Sequence, residues 1–108
     1  MKKTHKYFYL SITDIFDIGL MKLSEISGRG SKKDFVDLYF LLHYFSLSKL
    51  FAGYKDKYGI GVSNFYHLQK SLVYFENAEP EPMPKMVKNV EWQKIKNSIV
   101  LKVKKLNF

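Results

Sequence analysis

Met21-Lys22-Leu23-Ser24-Glu25-Ile26-Ser27-Gly28-Arg29-Gly30-Ser31-Lys32-Lys33-Asp34-Phe35-Val36-Asp37-Leu38-Tyr39-Phe40-Leu41-Leu42 reads as a helix, a tight turn and a second helix. Gly28 and Gly30 bracket Arg29, and glycines there end a helix by supplying positive φ at no steric cost. Ser31 is a good N-cap, and Asp34 falls three residues later, where a carboxylate can complete a capping box. Around this turn lie four cations (Lys22, Arg29, Lys32, Lys33) and two carboxylates (Asp34, Asp37). At about 100° per residue, Lys22 falls beside Ile15, Ile18 and Ile26, and Arg29 near the same edge. Lys22 therefore borders an apolar stripe and needs an anion, and Asp34 is the carboxylate just across the turn.

In the second helix Phe35, Leu38, Leu42 and Phe45 form one face, and Val36, Phe40, His43 and Tyr44 cover the other. A helix apolar nearly all round is usually covered on both sides. The pattern predicts burial within the chain or an oligomer formed through this helix.

Outward from the turn, the pattern predicts a mostly α fold, a compact bundle of about five helices in a single domain over 1–108. Helix one spans 14–28, capped by Thr13 or Asp14. Helix two spans 32–45, in a hairpin with helix one. Helix three spans 47–58 and is closed by Gly59. Helix four spans 64–74. Helix five spans 91–106, with Trp92, Ile95, Ile99, Val103 and Leu106 on one stripe and lysines opposite. Tyr7–Ile12 is β-prone by its aromatic residues and reads as a short orphan edge strand or an extended arm.

Residues 76–90 form a Pro-rich acidic loop. Pro80, Pro82 and Pro84 exclude regular helix there. Its acids Glu76, Glu79 and Glu81 belong either to a solvated linker or to a strap over the core. Tyr74, Phe75, Met83 and Met86 as apolar anchors favour the strap.

Composition narrows the function classes. With no cysteine there is no disulfide framework and no Cys-based metal site. The histidines at 5, 43 and 67 lack ligand spacing. No apolar run reaches the ~20 residues of a membrane span, which predicts no membrane partner. The formal net charge of +8 favours anionic partners such as nucleic acid or a nucleotide. Arg29 is the sole arginine, which weakens the case for a sequence-specific DNA reader.

Lys22, Arg29, Lys33, Asp34 and Asp37-Leu38 at these spacings resemble the paired C-terminal motifs of the AbiEii/AbiGii toxin family. These are nucleotidyltransferase-like toxins of bacterial abortive-infection and toxin–antitoxin systems. Asp17-Ile18, Tyr74-Phe75-Glu76-Asn77-Ala78-Glu79, Pro82-Met83-Pro84, Trp92 and Lys96 extend the resemblance from Asp14 to the end of the chain. Glu25 departs from it, standing where the family usually has alanine. The Gly-Ser turn and D-x-D motif of the family's N-terminal half are absent, since Asp14 and Asp17 are three apart and open a helix.

Composition, with no cysteine, no membrane span and a start interrupted by Asp14 and Asp17, predicts a cytoplasmic bacterial-type protein, and the resemblance implies one corresponding to the C-terminal half of such an enzyme. It implies nucleotide binding by Lys22 and Arg29, a catalytic carboxylate at Asp34, and phosphate or RNA contacts at Lys32 and Lys33. Asp37 reads as a structural carboxylate, pairing with Arg29 or a backbone group. The complete enzyme would use a nucleoside triphosphate with Mg; this chain alone would hold neither and be inactive. Implied partners are a nucleotide, tRNA, and the missing catalytic half or an antitoxin. The alternative from charge and helix alone is a stand-alone basic helical module that binds nucleic acid or protein.

Overall fold

The computed structural model describes residues 11–59, 62–85 and 90–106, and of 62–64 the backbone alone. It holds five helices: α1 Ile12–Arg29, α2 Lys32–Leu41, α3 Leu47–Tyr58, α4 Val62–Leu72 and α5 Trp92–Lys104. No strand occurs among the described residues, and the chain is mostly α. The strand expected over Tyr7–Ile12 lies outside them except at its last two residues. There Ser11 caps α1 and Ile12 is its first residue.

Both arms of the hairpin start the same way. The Ser11 hydroxyl accepts the Asp14 N–H at 3.1 Å, and the Asp14 carboxylate accepts the Ser11 N–H at 3.3 Å. Ser31 and Asp34 repeat the exchange at 3.2 Å in each direction. Each box satisfies two backbone donors at once. A cap at Thr13 would put Phe16 at the reciprocating position, so α1 starts earlier than the apolar pattern predicts.

The turn is made without positive φ, which corrects the expectation for Gly28 and Gly30. Gly28 is helical, and Gly30 is extended at φ −72°, ψ 125°. Gly30 is needed for closeness, because a Cβ there would stand 2.7 Å from the Phe35 ring. Gly59 is the described residue with positive φ, at 61°, and its N–H donates to Lys55 O to close α3. Helix α2 stops at Leu41, short of Phe45. The chain tightens there, with His43 N–H donating to Phe40 O and Tyr44 N–H to Leu41 O. This turn seats the Phe45 ring edge-on against Phe16 at 5.1 Å, and Ser46 then caps α3.

Helix α1 packs against α2, α3 and α4, while α5 lies on α2 and α4. Leu23, Phe35, Leu38, Leu50, Phe51, Leu72, Ile95 and Ile99 are fully enclosed. Val36 is buried in the same core and Phe40 is half-buried, so of the face expected to lie opposite only His43 and Tyr44 are exposed, and they stand in the turn after α2.

The acidic loop is a strap over the core. Ala78 is fully buried, and the Phe75 ring lies 4.9 Å from Phe35 and 5.8 Å from Trp92. Glu79 accepts from the Trp92 indole N–H at 2.9 Å and from the Lys96 ammonium at 2.6 Å. These contacts fix α5 against the strap. Of the anchors expected, Phe75 packs on the core, Tyr74 and Met83 are exposed, and Met86 lies outside the described residues.

Candidate functional site at the hairpin

Lys22, about three turns into α1, points at the start of α2. Its Nζ lies 3.1 Å from Asp37 Oδ2, 3.3 Å from Asp34 Oδ1 and 3.4 Å from Glu25 Oε1. Asp34 reaches this point because the Ser31 box fixes its other oxygen at the α2 N-terminus. Asp37, one turn further on, shares that edge of α2. The Lys22, Asp34 and Asp37 side chains keep only 15, 14 and 12 % of their surface, whereas Glu25 is half exposed.

Burial alone would lower the pKa of the Lys22 ammonium. The hydrogen bond and charge of Asp37, then the charges of Asp34 and Glu25, outweigh it and raise the pKa well above the usual lysine range. Burial likewise pushes the Asp34 carboxyl up. Its hydrogen bonds with the Glu25 carboxyl and with the Ser31 N–H and hydroxyl, and the Lys22 charge, bring it below the usual range. The cluster therefore sets one ammonium among three carboxylates. Among the described residues no group of metal-binding side chains converges in a way that could hold a cation. Lys22 itself stands where the carboxylates meet, so these residues do not fit Mg.

Arg29 is not part of this cluster. It is exposed in the last turn of α1, and Asp37 pairs with Lys22, not with Arg29. Lys33 is exposed. Lys32 is buried at 6 % exposure. Its ammonium donates to Glu79 O at 3.2 Å and sits 4.9 Å over the Trp92 ring, and its backbone N–H donates to Glu81. In the folded chain Lys32 thus faces the strap.

Beside Arg29 a shallow cleft of about 380 Å³ opens between the end of α1 and the end of α4. Lys70 and His67 of α4 line it, with Ser27, Ser71, Tyr74 and Asn77. The His67 Nε2–H donates to Ser27 O at 2.9 Å and ties the two helices together. Sequence reasoning did not single out His67 or Lys70. They meet Arg29 only because α4 packs across α1, and no spacing in the chain signals that.

No family model matches this chain. No solved structure matches it. The chain is 40% identical over 92 residues to the uncharacterized protein aq_aa25 of Aquifex aeolicus (strain VF5). The match covers 82% of this chain but only 42% of that longer protein. None of the described helices is long and apolar enough to cross a membrane.

Proposed function

We propose that this chain is the C-terminal helical part of a nucleotidyltransferase toxin of the AbiEii/AbiGii kind, acting in the bacterial cytoplasm. It contributes contacts to the phosphates of a nucleotide and an RNA and depends on a further half for the metal-binding acids. The observation that carries this is the Lys22–Asp34–Asp37 cluster. Residues singled out by the motif resemblance meet within 3.3 Å in a partly buried site. A relative more than twice as long as the matched stretch also fits a chain that works with further residues.

The roles follow from the electrostatics. Asp34 is held ionised and accepts from Lys22, so it is the carboxylate able to orient or accept a proton from an attacking hydroxyl. Lys22 is surrounded by carboxylates and acts by positioning Asp34. Arg29, outside the cluster, is left to meet phosphate. No step is assigned to Mg, because the residues of this chain do not fit it.

The test is transfer of labelled nucleotide to RNA in the presence of Mg. The longer Aquifex protein should label RNA. Its variants at the positions matching Lys22 and Asp34 should lose labelling by orders of magnitude, and the present chain alone should give none. Absence of labelling by the longer protein with every nucleotide and a pool of cellular RNA would sink the proposal, as would robust labelling by the present chain alone.

A further inference from the structure

We infer that the cleft between the ends of α1 and α4 binds a phosphate group, with Arg29 and Lys70 as its cationic jaws. The inference deepens the reading above, since both use Arg29, but it moves the phosphate away from Lys22 and adds residues of α4. Three observations carry it. First, the cations Lys22 and Lys32 are already engaged, by three carboxylates and by the strap. Among the described residues the Arg29 guanidinium has no ion-pair partner, and Lys70 meets only the Tyr66 ring, at 5.2 Å. Second, the cleft walls carry two full positive charges and no carboxylate, although the chain has ten. Third, hydrogen-bonding groups suited to phosphate oxygens line the same space: the Ser27 and Ser71 hydroxyls and the Asn77 amide.

Two helix C-termini converge here, and each carries about half a negative charge. Their sum of about −1 is smaller than the two cations. It is further reduced because three of these carbonyls are occupied. Ser27 O accepts from His67, Lys70 O from Val73 N–H and Ser71 O from Tyr74 N–H. The lining residues themselves stay net positive, while the Glu76 carboxylate lies behind Tyr74, accepting its hydroxyl at 3.0 Å. A volume of about 380 Å³ is enough for a di- or triphosphate group or a short backbone stretch of a strand.

The experiment is calorimetric titration of the whole chain at low salt with pyrophosphate, a nucleoside triphosphate and a short single-stranded RNA. Lys70→Gln and Arg29→Gln alter exposed side chains. Each should weaken pyrophosphate at least about tenfold, the loss expected of one charge-assisted contact. Lys104→Gln removes the same charge from the exposed face of α5 and should change affinity by less than about twofold, the size of a general screening effect. Tighter binding of the triphosphate than of RNA assigns the cleft to a free nucleotide, and the reverse assigns it to a strand. Equal effects of Lys70→Gln and Lys104→Gln, or no pyrophosphate binding at all, would overturn the site. If the longer protein labels RNA while pyrophosphate ignores Lys70, the cleft alone falls. If pyrophosphate follows Lys70 and Arg29 but no RNA is labelled, the transfer reading alone falls.

Discussion

Asp37 Oδ2 lies 3.1 Å from Lys22 Nζ, closer than either Asp34 or Glu25. The carboxylate with the least exposed side chain is thus the one that holds the ammonium nearest, and the link ties the middle of α2 to α1. Removing the ammonium strands the carboxylates behind it. Lys22→Met should destabilise the chain. Breaking a fully buried pair costs about 3–5 kcal/mol, and the exposure remaining here lowers that to about 2–3 kcal/mol. A thermal melt should show a drop on the order of 10 °C. An unchanged melt would mean that solvent, not Lys22, neutralises these acids.

The same cluster sets a pH profile. The Asp34 carboxyl is lower in the folded than in the unfolded chain. Its contribution is present above its usual 3.8 and is lost as pH falls through the folded value. The Lys22 ammonium is raised on folding. Its contribution is full below its usual 10.5 and disappears only as pH rises through the folded value. Melting temperature should therefore plateau between these limits and fall on both sides. Asp34→Asn should flatten the acid limb and Lys22→Met the alkaline one. A profile unaltered by either change would contradict the assignment.

The two turn glycines should respond with opposite sign. A Cβ at Gly30 would stand 2.7 and 2.9 Å from the Phe35 ring, so Gly30→Ala should cost about 1–3 kcal/mol by overpacking. A Cβ at Gly28 would meet nothing within 4 Å, and that residue is helical. Gly28→Ala should stabilise by about 0.5–1 kcal/mol. Urea melts of the pair read the difference directly, and equal signs would refute the geometry of the turn.

The hairpin was legible because its determinants are local. Ser31 and Asp34 are three residues apart, and the α3 bounds follow from Ser46 and Gly59. Lys22 asked for an anion through its place on the helical wheel. What could not be read depends on how elements cross. Asp37 meets Lys22 instead of Arg29 because of how α2 leans on α1. Lys32 read as a phosphate or RNA contact, and nothing local signals that the strap comes to lie over it. The cap at Ser11 is local too, with Asp14 only three residues away, but the apolar stripe begins at Ile15 and by itself places the start of α1 at Asp14.

The strap should respond weakly to loss of its carboxylate. Glu79 keeps 44 % of its side chain exposed, although its bonds from Lys96 and Trp92 hold its pKa below the usual range. Solvent screens exposed pairs of this kind, so they contribute little to stability. Glu79→Gln should therefore lower the melting temperature far less than Lys22→Met does. Trp92 is the single tryptophan, so its fluorescence should report loss of the indole bond even where the melt barely moves. An effect as large as that of Lys22→Met would show the strap to be a principal support of the fold.

The separation of the two charged joints along the chain gives the molecule an order of assembly. Lys22 and Asp34 are 12 residues apart, whereas Lys32 and Glu81 are 49 apart. Closing a loop costs about 0.6 kcal/mol more for each doubling of its length, so the second joint is dearer by about 1.2 kcal/mol. The hairpin can close from its own residues, while the strap and α5 must wait for the rest of the core. Pulse-labelled amide exchange should find the α1 and α2 amides protected before those of α5 during refolding. Simultaneous protection would mean that the two halves condense as one nucleus.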